Sequence, residues 1–332
     1  QPCEQESRRL SKGGFMKIVI LDAETLTINN DMDFSIFDEY GEVTIYQSTK
    51  DSEVAERIKD ADIVLCNKSP MNRENLSGAK KLKYIGLFAT GYNNIDLDYT
   101  RAHKITVCNA GNYSTEAVAQ HVFAFILHYY NTITKYDEFV KQDGWIHTNK
   151  FSPFMEMKEL FGKTIGIIGY GSIGKKVAQI AVAFGMNVMA CSRSTEIKKI
   201  GNIQFTDIDT ILSVSDIVTI HCPLNKDSEK MCNQEFFNKM KRDSLFINTS
   251  RGGVVNEEDL VSALNGNVIG YAALDVIDQE PMIQDCPLLK AKNIVITPHA
   301  AWAPIETRTR LMEIVSKNLK KWLAGTPINV IE

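Results

Sequence analysis

From Met16 onward the chain alternates short apolar runs with stretches of helical periodicity. Runs at 16–22, 43–47, 62–66, 83–89 and 105–109 read as strands; between them lie helical patterns such as Ser52–Lys59 and turn signals such as Ser69-Pro70. This β-α-β-α order predicts a parallel sheet covered on both faces. Residues 114–141 carry the longest helical pattern, apolar on more than one face, and a loop with Gly144, Trp145 and Pro153 follows. A second alternation starts at Lys163, with strands expected near 164–169, 186–191, 216–221, 244–249, 267–274 and 293–297. A final helix, Ile305–Leu323, stops at Gly325 ahead of Pro327. The pattern therefore predicts an α/β protein of two doubly wound parallel-sheet units in tandem. The first 15 residues, QPCEQESRRLSKGGF, are polar and lack the apolar core of a signal peptide. They read as a disordered leader or cloning remnant.

Composition narrows the class. With 332 residues the chain is long enough for two cores. The net charge of −4 argues against nucleic acid as a partner, since a phosphate-binding surface leaves a basic excess. No apolar run approaches the length that crosses a bilayer, so no membrane association is expected. Seven cysteines without a C-x-x-C pair, four of them (Cys66, Cys108, Cys191, Cys222) in or beside apolar runs, read as reduced thiols of a cytoplasmic protein.

The strongest local motif is Gly169-Tyr170-Gly171-Ser172-Ile173-Gly174, which follows the apolar run TIGIIG and opens a helical pattern. In that context the glycines permit a tight turn (Gly169), backbone approach to a pyrophosphate (Gly171) and helix-on-strand packing (Gly174). The helix N-terminus offers N–H groups and a positive dipole end to the phosphates, with Ser172 and Ile173 in its first turn. The cofactor implied is NAD(P). A carboxylate gripping the ribose of NAD would fall after the next strand, about 20 positions on. The chain has Ser192-Arg193 there. Nothing repels a 2′-phosphate and a guanidinium is present to bind one, which favours NADP(H) over NAD(H).

Three ionisable residues fall just after strands of the second unit: Arg251 after LFINTS, Glu280 after ALDVID and His299 after NIVITP. Ligands of open α/β sheets bind beyond the carboxyl ends of the strands, so all three point to one crevice. Each type suits a role in a ligand site: the imidazole can transfer a proton, the carboxylate can orient it, and the guanidinium can pair with an anion. His121 and His128, seven apart on the long helix, read as packing or interface residues, and His221 as structural. No H-E-x-x-H or carboxylate cluster suggests a metal.

LFATGYNNID (87–96), the glycine motif, HCPL (221–224), INTSRGGVVNEEDL (247–260), ALDVIDQEP (273–281) and TPHAAW (297–302) together make the chain resemble the D-isomer-specific 2-hydroxyacid dehydrogenases, on the glycerate dehydrogenase and hydroxypyruvate (glyoxylate) reductase branch. The resemblance implies a discontinuous, flavodoxin-like substrate domain of residues 16–112 and 305–332, with a Rossmann coenzyme domain, 113–304, inserted. It implies catalysis by Arg251, Glu280 and His299, and a substrate carboxylate bound by backbone N–H groups of Ala89, Thr90 and Gly91. Asp275 would hold the nicotinamide carboxamide, and Thr90, Cys222, Pro223 and Thr249 would line the cofactor. Trp302 beside His299 narrows the pocket toward small substrates such as hydroxypyruvate or glyoxylate. No extra Arg or Lys is evident in the substrate loops for a second carboxylate or a phosphate. The alternatives are a phosphite dehydrogenase, or a regulator or scaffold that keeps the fold without turnover; formate dehydrogenases differ by carrying Gln at position 280. Finally, Val118, Val122, Phe123, Phe125, Ile126, Leu127, Tyr129 and Tyr130 predict a two-fold homodimer that buries the long helix.

Overall fold

The structure, a computed structural model, describes residues 15–192 and 199–331. The chain divides into two units, one formed by residues 1–113 and 304–332 and the other by Ser114–Ala303.

In the first unit five strands, β1 (Lys17–Ile20), β2 (Glu42–Ile45), β3 (Ile63–Cys66), β4 (Tyr84–Leu87) and β5 (Thr106–Cys108), form a parallel sheet in the order β2-β1-β3-β4-β5. This is the flavodoxin-like order. β3 and β4 are buried at every position, as central parallel strands require. Helix α1 (Asp51–Ile58) turns Val54 and Ile58 into a core shared with Val19, Val64 and Ile85; α2 (Arg73–Leu76) and α3 (Leu97–Ala102) follow β3 and β4. The C-terminal helix Ile305–Leu323 returns to this unit, where Trp322 packs on Tyr84 at 4.9 Å between ring centroids.

That return is fastened by Arg308, a buried guanidinium whose Nη1 and Nη2 lie 2.7 and 2.8 Å from the two carboxylate oxygens of Asp31. The paired guanidinium, with help from the Ile28 N–H, holds the Asp31 carboxyl well below the usual carboxylate range. A depressed folded-state pKa adds stability that is present above the ordinary value of about 3.9 and is lost as pH falls below it. Asp31→Asn should therefore lower the urea midpoint at pH 7, with the difference from wild type shrinking below about pH 4. An unchanged midpoint at pH 7 would remove this pair from the account of stability.

The second unit holds β6 (Thr164–Ile168), β7 (Asn187–Cys191), β8 (Lys199–Ile200), β9 (Ile203–Phe205), β10 (Ile217–Ile220), β11 (Leu245–Asn248), β12 (Tyr271–Leu274) and β13 (Ile294–Ile296). Their order, β13-β12-β11-β10-β6-β7-β9-β8, is parallel throughout except for the β8–β9 edge. The strand order reverses between β6 and β10, the topological switch of a Rossmann sheet. Its helices are α4 (Thr115–Asn131), α5 (Ile133–Lys141), α6 (Ser172–Ala183), α7 (Ile208–Val214), α8 (Gln234–Lys239) and α9 (Glu257–Asn265).

Three expectations need correction. The helix over 114–141 is two helices, broken at Thr132, whose φ of 48° puts it in the left-handed region. The strand expected over 267–274 begins only at Tyr271, because Asn267 (φ 53°) and the Val268 N–H bond to Ala263 O close helix α9 instead. Third, Val118, Val122, Phe123, Phe125, Ile126 and Tyr130 are already buried within the unit. All of these but Val118 join a core with Ile165, Ile167, Val177 and Ala181, since α4 packs against both α6 and β11. Of the eight residues expected to be covered by a second copy, only Leu127 and Tyr129 are half-buried rather than buried.

Candidate active site

The end of β6 and the end of β10 meet at the glycine motif. Gly169 has φ 102°, and a Cβ there would lie 2.6 Å from His221 C and Cys222 N. Only glycine fits a turn so close to the neighbouring backbone. Gly174 likewise faces Gly169 O, with which a Cβ would clash at 2.2 Å. Gly171 differs: a Cβ built there meets nothing within 4 Å, and as N-cap of α6 it leaves the helix's first N–H groups without a side-chain cap. An open approach to uncapped N–H groups fits a dinucleotide pyrophosphate. A second feature agrees: Thr249 Oγ1 is buried and has no hydrogen-bond partner among the described residues. The residues present thus fit NAD(P) held at Gly169–Gly174.

Ser172 is exposed at the start of α6, Ile173 is half-buried, and Ser192 is half-buried just past β7. Arg193 lies outside the described residues. Cys222 is half-buried and Pro223 exposed. Burial pushes the His221 ring down to about pKa 3. It is therefore a neutral wall, with Nε2 2.9 Å from Thr219 Oγ1.

Arg251, Glu280 and His299 come from the ends of β11, β12 and β13 within this one unit. Asn248, fully buried, folds the turn after β11: its Oδ1 accepts from Ser250 N and Oγ, and its Nδ2 donates to Arg251 O at 2.9 Å. Arg251 Nη1 donates to Ser250 O at 2.7 Å, which curls the guanidinium over its own turn. Gly252 then passes so close to the chain after β12 that a Cβ would lie 1.8 Å from Ile277 C. This contact sets the Arg251 turn against the segment that carries Glu280.

His299 Nδ1 and Glu280 Oε2 are 2.7 Å apart, each side chain about a third exposed. Glu280 Oε1 also accepts from Ile277 N at 3.2 Å. A carboxylate at Nδ1 fixes the orientation of the ring.

The sequence did not foretell what holds His299. Asp275, 1% exposed, accepts from Thr297 Oγ1 (2.5 Å), Ala300 N (2.8 Å) and Ala301 N (3.0 Å). His299 N in turn donates to Asp275 O at 2.7 Å, in a loop where His299 itself has φ 52°. His121 on α4 closes the network, with Nε2 2.9 Å from Thr297 Oγ1. Because the Thr297 proton goes to Asp275, Thr297 Oγ1 accepts from His121 Nε2–H. His121 thus packs within this unit, bonded to the loop that carries His299, and no sequence motif signals that bond. His128 is exposed and outside the network. Trp302, half-buried, follows His299 by three residues.

In the first unit the 89–91 loop is braced by the chain after β5. Ala110 N donates to Ala89 O (2.9 Å), Asn109 Nδ2 to Thr90 O (2.7 Å) and Thr90 Oγ1 to Gly111 O. The N–H groups of Ala89, Thr90 and Gly91 have no acceptor among the described residues.

A Rossmann sheet with a glycine turn at its switch point and a carboxylate-oriented histidine at its carboxyl edge defines a nicotinamide-dependent oxidoreductase, and comparison with known proteins makes this specific. The family model described as "D-isomer specific 2-hydroxyacid dehydrogenase, NAD binding domain" matches residues 123–301. A hydroxypyruvate reductase of Blautia hydrogenotrophica is 39% identical over 322 residues, covering 95% of this chain and 99% of the relative. A glycerate dehydrogenase of Methylorubrum extorquens is 37% identical, again over 95% and 99%. Among solved structures, an acyclic imino acid reductase in complex with NADPH and D-Arg superposes with a TM-score of 0.83 at 32% identity, covering 96% of this chain and all of that one. The chain belongs to the D-isomer-specific 2-hydroxyacid dehydrogenase family.

Proposed function

We propose that this enzyme reduces a small 2-oxo acid, hydroxypyruvate or glyoxylate, to the D-2-hydroxy acid with NADPH favoured over NADH. The observation that carries this reading is the His299–Glu280 pair at 2.7 Å on a loop anchored by buried Asp275, with Arg251 on the neighbouring strand end. The names of the 39% and 37% identical relatives support the substrate class.

When bound, NAD(P)H supplies the hydride to the substrate's C2. Gly169, Gly171, Ser172, Ile173 and Gly174 would hold its phosphates, with Ser192, Arg193, Cys222, Pro223, Thr249 and Asp275 along the remainder. Arg251 pairs with the substrate carboxylate and polarises the carbonyl. His299 gives the Nε2 proton to the carbonyl oxygen, and Glu280 balances the charge on the ring before transfer. Trp302 limits the size of the C3 group.

An initial-rate panel tests this: hydroxypyruvate, glyoxylate, pyruvate and oxaloacetate with NADH and NADPH, and phosphite in the oxidative direction. A charge-assisted phosphate contact is worth roughly 1.5–3 kcal/mol, so kcat/KM for NADPH should exceed that for NADH about tenfold or more. Arg193→Ala should erase most of that gap and Ser192→Asp should invert it. Oxidation of phosphite alone would overturn the substrate assignment. A wild-type preference for NADH, unmoved by Arg193→Ala, would overturn the coenzyme assignment.

The same reading makes the enzyme a cytoplasmic homodimer. Free buried thiols at Cys66, Cys108, Cys232 and Cys286 support the compartment. The dimer is supported by a surface other than the helix face first expected: Ile146, Phe151, Phe154 and Phe161, between α5 and β6, are each at least 73% exposed. Large apolar side chains left exposed in one chain segment are candidates for an association surface. Light scattering at micromolar concentration should give twice the chain mass, and Phe151→Ser with Phe154→Ser should reduce it to one. A monomeric wild type refutes the dimer.

A further inference from the structure

β13 stands outermost in its sheet, pairs with β12 alone, and has no fully buried residue. The loop that leaves it, residues 297–301, carries His299 with a φ of 52°, in the left-handed region. A non-glycine residue keeps such a backbone only where its surroundings over-determine it. An edge strand offers little of that support, so it must come from elsewhere.

Two layers of hydrogen bonds supply it. The inner layer is buried Asp275, whose carboxylate accepts from Thr297 Oγ1, Ala300 N and Ala301 N while its carbonyl accepts from His299 N. A buried carboxylate is costly unless donors satisfy it, so losing one donor loosens carboxylate and loop together. The outer layer is His121, whose Nε2 lies 2.9 Å from Thr297 Oγ1 and 3.6 Å from Asp275 Oδ1. Thr297 has one proton and gives it to the carboxylate. The His121 N–H therefore fills the acceptor side of that hydroxyl and fixes the rotamer that aims it at Asp275. His121 is itself held: it sits on α4, and its ring packs edge-on against buried Phe125, 4.5 Å between centroids.

We infer that His121 is a positioning residue for the proton donor. Through Thr297 and Asp275 it keeps the His299 loop in the arrangement that presents the ring to substrate. This rests on the reading of His299 as that donor. Without the His121 N–H the Thr297 hydroxyl is free to rotate, and the loop spends less time in the productive arrangement. Arg251 follows a different strand, β11, and Asn248 folds its turn. The effect therefore falls on turnover and not on substrate affinity.

The test measures kcat, oxo-acid KM and urea midpoint for His121→Phe and His121→Gln, each in wild type and in His299→Ala. His121→Phe keeps a ring against Phe125 and removes the N–H. An ordinary hydrogen bond corresponds to about three- to tenfold, so kcat should fall by that factor while KM stays within about twofold. His121→Gln, whose amide N–H replaces the lost donor, should restore most of the loss. In the His299→Ala enzyme His121→Phe should leave kcat where it was. Thr297→Val approaches the same bond from its other end: kcat should fall at least as far, and adding His121→Phe should cost nothing further. Wild-type kcat in His121→Phe or in Thr297→Val overturns the inference. So do equal losses in the Phe and Gln variants, a fall in the urea midpoint alone, or an equal loss of kcat in the His299→Ala background. Each of these leaves the proposed function standing. Near-native turnover in His299→Ala itself overturns the functional reading and this inference with it.

Discussion

His299→Ala should lower kcat for oxo-acid reduction by roughly 10³-fold while coenzyme affinity stays near wild type. General acid catalysis contributes about 10²- to 10⁴-fold, and the expected loss is the middle of that range. Glu280 Oε2 sits 2.7 Å from Nδ1 and Oε1 is tethered to Ile277 N, so the carboxylate is held in place before substrate arrives. Glu280→Gln keeps a hydrogen-bond acceptor but removes the charge that balances the protonated ring; a loss of about 10–100-fold in kcat is expected. The two residues act as one unit. Adding Glu280→Gln to His299→Ala should therefore cost almost nothing further, in contrast to the sum of the single effects. Stopped-flow single turnovers with saturating coenzyme measure all three variants, and fluorescence titration gives the coenzyme Kd. Near-native turnover in His299→Ala, or fully additive losses, would dismiss the assignment of the proton donor.

What could be read in advance divides along a physical line. Strand runs such as IVILD and IVLC are apolar because parallel strands are covered on both faces, and that signal is local. The places of Arg251, Glu280 and His299 beyond strand ends were legible as well, because each follows such an apolar run; α/β topology makes that edge the expected ligand side. The short edge pair Lys199–Ile200 and Ile203–Phe205 escaped, being too brief to show alternation. The break at Thr132 escaped too, since Asn131-Thr132-Ile133 contains neither Gly nor Pro. The apolar faces of α4 suggested a dimer because sequence alone does not show that one helix packs on a helix and a strand at once. His121 and Asn248 act through partners 176 and 3 residues away, and only the second distance is local. Positioning residues are the hardest to read, because their chemistry depends on which loops the fold brings to them.

Two glycines with opposite surroundings give the other large effect. At Gly252 a Cβ would sit 1.8 Å from Ile277 C and 1.9 Å from Ile277 O, both backbone atoms that no rotamer change can move aside. Gly252→Ala must push the Arg251 turn away from the segment leading to Glu280. Overpacking against a rigid neighbour costs about 3 kcal/mol or more, so the variant should unfold at markedly lower urea and lose activity with its stability. At Gly171 a Cβ meets nothing within 4 Å and the φ of −81° suits any residue. Gly171→Val should therefore keep the wild-type urea midpoint. Its side chain would instead occupy the approach to the first turn of α6, where the pyrophosphate is expected. Coenzyme Kd should rise about tenfold to a hundredfold, a loss of roughly 1.4–2.8 kcal/mol. Urea denaturation and fluorescence titration on both variants separate the two effects. If Gly171→Val binds coenzyme as tightly as wild type, the open space before α6 is not the phosphate site.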